Sequence, residues 1–355
     1  MAQCAWCCDE EGEQNIYEEN RRIYPGRSCG SRIGVHFPQN EGLQEIQGVP
    51  QKGEPGSVKD REEKAGRKSR KEKQEEQMIY IGNHVSISKG FLAMGKAEEK
   101  LGGNTFAFFT RNPRGGRSTQ PDREDIAALR EFLSTHMFGK LVAHAPYTMN
   151  LCSAKEDIRE FSENVFREDL QKMELLPGQF FNFHPGSHLK QGYEKAADQI
   201  ADVLNRTLTA GQTTTVLLET MSGKGTEVGR TFEELRGILD RAEHREKLGV
   251  CLDTCHVWDG GYDIVNDLDG VLQHFDEVIG LDRLFAVHLN DSKNDCGSHK
   301  DRHEKIGLGK IGEEALMRVV NHPLLQNRPF ILETPNDDEG YRREIALVKS
   351  INIHV

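Results

Sequence analysis

From Met78 to the end of the chain, short apolar runs alternate with longer amphipathic stretches, and this alternation constrains the fold more than any other feature. Short apolar runs predict buried strands, while apolar residues that recur every three or four positions predict helices. We predict strands at Ile79–His84, Thr105–Phe109, Leu141–His144, Gln179–His184, Thr215–Glu219, Val250–Asp253, Leu284–His288 and Phe330–Glu333. We predict helices at Lys89–Leu101, Pro121–His136, Lys155–Leu175, Gly192–Ala210, Thr231–Ala242, Asp267–Gly280, Glu313–Asn321 and Glu339–Ser350.

Eight consecutive strand–helix units favour a parallel (β/α)8 barrel, the TIM barrel of the α/β class. An open, doubly wound sheet would also produce alternating units, but eight is the number that closes a barrel. We therefore predict a barrel domain over residues 78–355. Residues 1–77 differ, because their segment 51–77 is densely charged and has almost nothing to bury. This composition predicts a disordered, polar and charged N-terminal extension.

The formal net charge of −11 argues at first against a nucleic-acid partner. Net charge averages over the whole surface, however, whereas binding depends on the field of one face, to which bound divalent metals would add positive charge. No apolar run approaches the length that spans a bilayer, and the first residues lack the pattern of a secretory signal. The eight cysteines are scattered without a disulfide framework. These features predict a cytoplasmic protein with no membrane partner.

Metal-ligand residue types end seven of the eight predicted strands: His84, His144, His184, Glu219, Asp253, His288 and Glu333. In a parallel barrel the carboxyl ends of all strands meet on one face, where the active sites of such barrels lie. A single residue of this kind would be explained as a buried histidine or a helix cap. Seven that converge predict a metal site instead. Imidazoles and carboxylates without a thiolate suit zinc, manganese or iron in a hydrolytic centre.

Two further groups extend this set beyond the strand ends. His256 follows Asp253 by three positions, and we expect it on the loop after the sixth strand. Asp301 and His303 belong to a long loop after the seventh strand, and an Asp-x-His pair can place both side chains on one side of an extended segment. A loop of this length in a compact barrel is usually functional. The alternative for this pair is a salt bridge within the loop.

Several strings of the sequence resemble the signature motifs of the endonuclease IV family. They are G-N-H-V-S (82–86), N-F-H-P-G-S-H (182–188), C-L-D-T-C-H (251–256), H-L-N-D-S-K (288–293), D-R-H-E-K-I-G-L-G (301–309) and I-L-E-T-P-N (331–336). The resemblance runs from Met78 to the C-terminus and leaves the first 77 residues unmatched. It implies a trinuclear zinc centre, with manganese as an alternative at one of the three positions.

The resemblance implies nine metal ligands, which are His144, His184 and Glu219 for the first metal, Asp253, His288 and Glu333 for the second, and His256, Asp301 and His303 for the third. Glu219 is also implied to bridge the first metal to the second. Glu219 and Glu333 are the implied catalytic residues, with a hydroxide between two metals as the nucleophile. His84 matches a position near the centre that does not bind metal, and we expect it to support the ligands.

The segment 110–120 follows the second predicted strand and carries Arg111, Arg114 and Arg117 among glycines. From the residues alone, this is either a phosphate-contacting loop or a solvated basic loop. The resemblance implies that the loop enters the minor groove of DNA, with Arg114 as the inserted arginine. It also implies that Tyr147 supports the distorted duplex. An abasic site has no base to unstack, which lowers the cost of such a distortion.

The activity implied by the resemblance is hydrolysis of the phosphodiester bond 5′ to an abasic site in double-stranded DNA. The products would be a 3′-hydroxyl and a 5′-deoxyribose phosphate. Removal of 3′-blocking phosphates or phosphoglycolates is implied as a second activity. Because a DNA-binding face has to stay open, a monomer is the simpler expectation.

Two alternatives belong to other functional classes. A sugar isomerase or epimerase of the xylose-isomerase-like barrels would also gather His, Asp and Glu at strand ends. It would not need the third group (His256, Asp301 and His303) or an arginine-rich loop. The second alternative is a non-catalytic DNA- or metal-binding module. Structural zinc sites, however, are typically four-coordinate and closed, unlike a nine-ligand set with room for water.

Overall fold

A computed structural model describes residues 78–113 and 120–350 of the chain. The barrel strands are β1 (Tyr80–Asn83), β2 (Ala107–Phe109), β3 (Val142–His144), β4 (Phe180–Phe183), β5 (Thr215–Glu219), β6 (Leu248–Asp253), β7 (Leu284–His288) and β10 (Pro329–Leu332), and a short ribbon contains β8 (Asp291–Ser292) and β9 (His303–Glu304). The predicted extension 1–77 and the predicted DNA contacts Arg114 and Arg117 lie outside the described residues.

The eight barrel strands are parallel and pair in the order β1-β10-β7-β6-β5-β4-β3-β2. The two end strands of this order meet through a parallel bridge between His84 and Ala107. There the backbone N–H of Val85 donates to the carbonyl of Ala107 at 2.8 Å. This contact closes the sheet, and the predicted TIM barrel is confirmed.

Helices surround the barrel in the described residues: α1 (Phe91–Leu101), α2 (Arg123–Thr135), α3 (Glu156–Met173), α4 (Tyr193–Thr207), α5 (Phe232–Arg241), α6 (Thr254–Gly260), α7 (Leu268–Val278), α8 (Glu313–Asn321) and α9 (Asp338–Ser350). Short 3-10 turns lie at Ile87–Lys89, Arg245–Lys247, Leu281–Arg283 and Pro323–Leu325. Each long helix buries one face; in α4, for example, Ala196, Ile200 and Leu204 recur every four residues and are fully buried. Each such Ile or Leu contributes about 1.5–3 kcal/mol of burial.

The interior of the barrel is filled by a ring of apolar residues: Ala107, Val142, Phe180, Leu217, Cys251, Ala286 and Ile331. Five of them precede a predicted metal ligand by two positions, as Leu217 precedes Glu219 and Ala286 precedes His288. Side chains two apart on a strand point to the same face. The apolar ring therefore forms the floor beneath the predicted metal ligands. These ligands lie one layer above it, on the same faces of the strands and at their carboxyl ends.

The structure differs from the sequence prediction after β6. His256, expected on a loop, lies in the first turn of α6, which Asp253 caps by accepting the N–H of His256 at 2.8 Å. With seven residues, α6 is too short to show a helical period in the sequence. The predicted long loop after β7 also contains structure, because Ser292 pairs with His303 in the antiparallel ribbon.

No helix in the described ranges is long and apolar enough to cross a membrane.

Candidate metal centre

The first ligand group predicted from the sequence meets at the ends of three neighbouring strands. His144 and Glu219 are the last residues of β3 and β5, and His184 follows the last residue of β4. The Oε2 atom of Glu219 lies 3.2 Å from Nε2 of His144 and 3.3 Å from Nε2 of His184. Ligand atoms of all three residues lie within 4.8 Å of one another, so one ion can contact them together.

The second group shares Glu219 with the first. Its other oxygen, Oε1, lies 3.1 Å from Nδ1 of His288, the last residue of β7. The same Nδ1 lies 3.1 Å from Oε2 of Glu333 and 3.8 Å from Oδ2 of Asp253. The four ligand atoms again lie within 4.8 Å of one another. Because each oxygen of Glu219 faces a different group, this carboxylate has the geometry of a bridge.

The third group joins His256 of α6 to His303 of the ribbon and to Asp301, which precedes the ribbon strand by two residues. Oδ1 of Asp301 lies 3.0 Å from Nε2 of His256 and 3.5 Å from Nε2 of His303. The structure adds two residues to this group. Ligand atoms of Asp253, His256 and His303 lie within 4.8 Å of one another, and so do those of Cys255, Asp301 and His303. Sequence reasoning excluded a thiolate from the set and missed Cys255. Its position directly before His256 was the available signal.

The carboxylates of the centre face imidazoles, and this sets their charge. Burial alone would raise the pKa of Glu219, but His288 and His184 outweigh it and lower that pKa well below the usual value. The pKa of Glu333 is lowered in the same way, chiefly by His288 against the effect of burial. For Asp301, burial is again outweighed, here by His256, and the pKa falls. These carboxylates are therefore anions at neutral pH.

The residues present fit a group of divalent metal ions. Buried anions are costly unless cations offset them, and among the described residues the fully buried Glu219 is surrounded by imidazoles and one amide rather than by a lysine or an arginine. The Nε2 atom of His303 is buried and has no hydrogen-bond partner in the described chain, although it points toward Asp253 and Asp301 at 3.7 and 3.5 Å. Nitrogen and oxygen donors of this kind suit zinc or a similar ion.

Hydrogen bonds from neighbouring residues orient the ligands. Nδ1 of His144 lies 2.7 Å from the carbonyl of Ala145, and Nδ1 of His256 lies 2.9 Å from the carbonyl of Thr220. A proton on Nδ1 leaves the lone pair of Nε2 for the carboxylate side, where a metal would bind.

Two buried asparagines complete this support. The amide of Asn182 donates to Oε2 of Glu219 at 2.5 Å, and the amide of Asn290 donates to Oδ2 of Asp253 at 2.7 Å. Sequence reasoning did not single out either asparagine, although both lie within the motifs that carry the resemblance. Each of them holds a carboxylate in a fixed orientation toward the centre.

His84 lies at the edge of the centre. Its Nε2 is 3.1 Å from Oε1 of Glu333, and its ring stacks on Phe109 with centroids 4.5 Å apart. Burial lowers the pKa of His84, and the hydrogen bond to Glu333 only partly opposes this. A neutral imidazole beside Glu333 is consistent with the supporting position expected from the sequence.

Of the residues considered for DNA contact, the structure describes Tyr147, which is exposed, and Arg111, which is buried. Tyr147 is 44% exposed beside the first group, and its ring packs on Phe109 with centroids 5.0 Å apart. Arg111, considered as a phosphate contact, is buried instead and binds Asp169 of α3 at 2.6 Å and Glu168 at 3.0 Å. The suggestion that Arg111 faces DNA is therefore wrong, because both carboxylates already hold its guanidinium.

The chain is a parallel TIM barrel with histidines and carboxylates gathered at its strand ends. The family model described as xylose isomerase-like TIM barrel matches residues 96–351. Over 272 residues the chain is 57% identical to "Probable endonuclease 4" of Alkaliphilus oremlandii, which covers 77% of this chain and 97% of that protein. A crystal structure of endonuclease IV from Thermus thermophilus superposes with a TM-score of 0.69 at 34% identity, covering 76% of this chain and 98% of that one. The chain belongs to the endonuclease IV family.

The same barrel is found in enzymes that act on sugars. A D-psicose 3-epimerase from Clostridium cellulolyticum superposes with a TM-score of 0.54 at 13% identity, over 78% of this chain and 99% of that one. Identity this low shows a shared fold alone.

Proposed function

We propose that this protein is a zinc-dependent DNA repair endonuclease that hydrolyses the phosphodiester bond 5′ to abasic sites in double-stranded DNA. The products are a 3′-hydroxyl and a 5′-deoxyribose phosphate. The observation that carries the proposal is the convergence of all nine predicted ligands into three adjoining groups on the carboxyl face of the barrel. A site for a small sugar would not require the third group.

The chain supplies a rigid, anionic pocket for this reaction. Divalent metals, when bound, activate water and neutralise the charge that builds up on the phosphate. Glu219 and Glu333 would hold the nucleophilic oxygen in place, since both carboxylates face His288 from different strands. Asn182 restricts rotation of the Glu219 carboxylate, and Asn290 does the same for the carboxylate of Asp253, so that these ligands keep one orientation.

A nucleophilic side chain is not needed. Burial raises the pKa of Cys251 to about 11, and it raises the pKa of Cys255 well above its ordinary value. Both thiols therefore stay protonated at neutral pH and are poor nucleophiles. This favours direct attack by water over a covalent intermediate on the protein.

Contacts to DNA are proposed for Tyr147 and Arg114. The half-exposed ring of Tyr147 stands beside His184, with centroids 5.9 Å apart, where a distorted backbone would approach the first group. Aromatic rings in such positions stabilise unstacked nucleotides. Arg114 remains a prediction from the sequence, as do removal of 3′-blocking groups, a monomeric state and a cytoplasmic location.

The domain assignment is also part of the proposal. Residues 78–355 would form the catalytic domain, and residues 1–77 would form a disordered extension that is not part of the active site. Deletion of residues 1–77 should then leave cleavage of abasic DNA within about twofold of the full chain, since all nine proposed ligands lie between His144 and Glu333.

The test is cleavage of a duplex oligonucleotide with one tetrahydrofuran abasic analogue, which cannot undergo β-elimination. A single nick 5′ to the analogue, lost after prolonged chelation and restored by zinc, would support the proposal. A protein shown to hold about three metals that makes no nick would overturn it. The sugar isomerase or epimerase alternative would then be tested with a panel of aldoses and ketoses.

A further inference from the structure

Asp259 lies in the last turn of α6 and is fully buried. Its Oδ1 accepts a hydrogen bond from the hydroxyl of Ser292 at 2.7 Å. Its Oδ2 accepts from the backbone N–H of Asp301 at 2.8 Å and from the amide of Asn294 at 3.3 Å. A buried carboxylate that serves several neutral donors stabilises whatever conformation presents those donors.

The same helix carries a ligand of the third group at its other end. His256 lies in the first turn of α6, and Nε2 of His256 is 3.0 Å from Oδ1 of Asp301. The carbonyl of Asp259 also accepts the N–H of His299 at 3.0 Å, and the indole of Trp258 donates to the carbonyl of Asn294 at 2.9 Å. Helix α6 therefore fixes the segment 294–301 at several points.

The backbone of Asp301 needs this support. Its φ is 55°, in the left-handed region that residues other than glycine rarely adopt, and His299 has a φ of 54°. A residue other than glycine keeps this conformation only where its surroundings hold it there. The bond from the N–H of Asp301 to Asp259 supplies this constraint directly, and it sets where the Asp301 carboxylate points.

We propose that Asp259 is a positioning residue for the third ligand group, and that it acts by fixing the backbone of Asp301 to the helix that bears His256. The inference rests on the proposed function in one respect, namely that this group holds a metal. The first two groups depend on strand ends and on Asn182 and Asn290 instead. Loss of Asp259 should therefore affect one metal and spare the other two.

The experiment measures zinc content of the full-length protein during titration with a chelator. Wild type should lose its third metal at a defined chelator concentration, and Asp259→Ala should lose one equivalent at a concentration about 10–100-fold lower. The remaining two equivalents should leave as in wild type. Asp259→Asn should restore much of the retention, because its amide oxygen still accepts from Asp301 and its amide nitrogen can donate to Ser292.

Asp263→Ala is the matched control. Asp263 accepts the N–H groups of Val265 and Asn266 in the turn after α6. Its replacement therefore removes a carboxylate close to α6 without removing the bond to Asp301. It should keep all three metals. A folded Asp259→Ala protein that retains the third metal as wild type does would overturn the inference. Loss of all three metals together from Asp259→Asn would overturn it as well. Wild-type protein with a third metal but without DNA cleavage would overturn the proposed function alone.

Discussion

Glu219 faces His288 with its Oε1 atom 3.1 Å from Nδ1, while its Oε2 atom turns to the histidines of the first ligand group. The bridge between the two groups is therefore a single side chain. Glu219→Ala should lower the single-turnover cleavage rate by about 10³-fold or more, because metal activation is worth several kcal/mol. Circular dichroism should show an intact barrel. A folded variant with near-wild-type turnover would contradict the assignment.

Tyr147→Ala should weaken binding of abasic duplex more than it slows the chemistry. Stacking against an exposed ring contributes about 1–3 kcal/mol, which corresponds to a rise in Kd of about 5–150-fold. Fluorescence anisotropy with a tetrahydrofuran duplex measures this. Met137→Ala is the control, because Met137 is also exposed but lies ahead of β3, at the opposite face of the barrel. Equal losses for both variants would contradict a role specific to Tyr147.

Arg114→Ala should also reduce affinity for abasic duplex, since the loss of one phosphate or groove contact costs about 1–3 kcal/mol. The slope of log Kd against log salt concentration should become shallower by about one unit. The rate at saturating enzyme should change little. If that rate falls as much as the affinity does, the residue acts in the chemical step and the prediction is wrong.

Asp169→Ala should destabilise the protein through the buried guanidinium of Arg111. Asp169 is fully buried and accepts from Arg111 and from the hydroxyl of Thr110 at 2.7 Å. Removing one partner of a buried ion pair costs about 3–5 kcal/mol, which urea denaturation can measure as a fall in the free energy of unfolding. Asp240→Ala removes an exposed pair with Arg236 and should cost about 1 kcal/mol or less. If both variants lower the free energy of unfolding by a similar amount, the buried ion pair is no more stabilising than the exposed one and the prediction is wrong.

Glu98→Gln should change how stability depends on pH. Glu98 is fully buried, and among the described residues no hydrogen bond of ordinary geometry reaches either of its oxygens. Burial raises its pKa well above the ordinary value, against smaller effects of the Asn83 backbone N–H and of Lys349. The folded state thus holds this proton more tightly than the unfolded chain, so stability falls as pH rises above the unfolded pKa.

The glutamine variant stays neutral, and its Tm should exceed that of wild type by a few degrees near pH 8 and by little near pH 5. Glu160→Gln, an exposed change on α3, should show the same small difference at both pH values. A Glu98→Gln difference that does not grow with pH would mean that the carboxyl is not held neutral by burial.

Much of the site could be predicted because it lies at strand ends. The apolar runs place Leu217 before Glu219 and Ala286 before His288, and the two-residue repeat of a strand puts each pair on one face. Two strands, Thr215–Glu219 and Leu284–His288, have the predicted bounds. The parallel barrel then brings their carboxyl ends together, whatever the intervening helices contain.

The sequence by itself determined the barrel, the order of its units and which side chains gather on its carboxyl face, because all three follow from local periodicity and from motifs of adjacent residues. Tertiary structure alone decided that Arg111 is buried on Asp169, 58 positions away, and that Asp259 holds Asp301, 42 positions away. Such pairs depend on how one helix packs against a distant loop. No local period records that packing, so partners of this kind emerge only when the chain is folded.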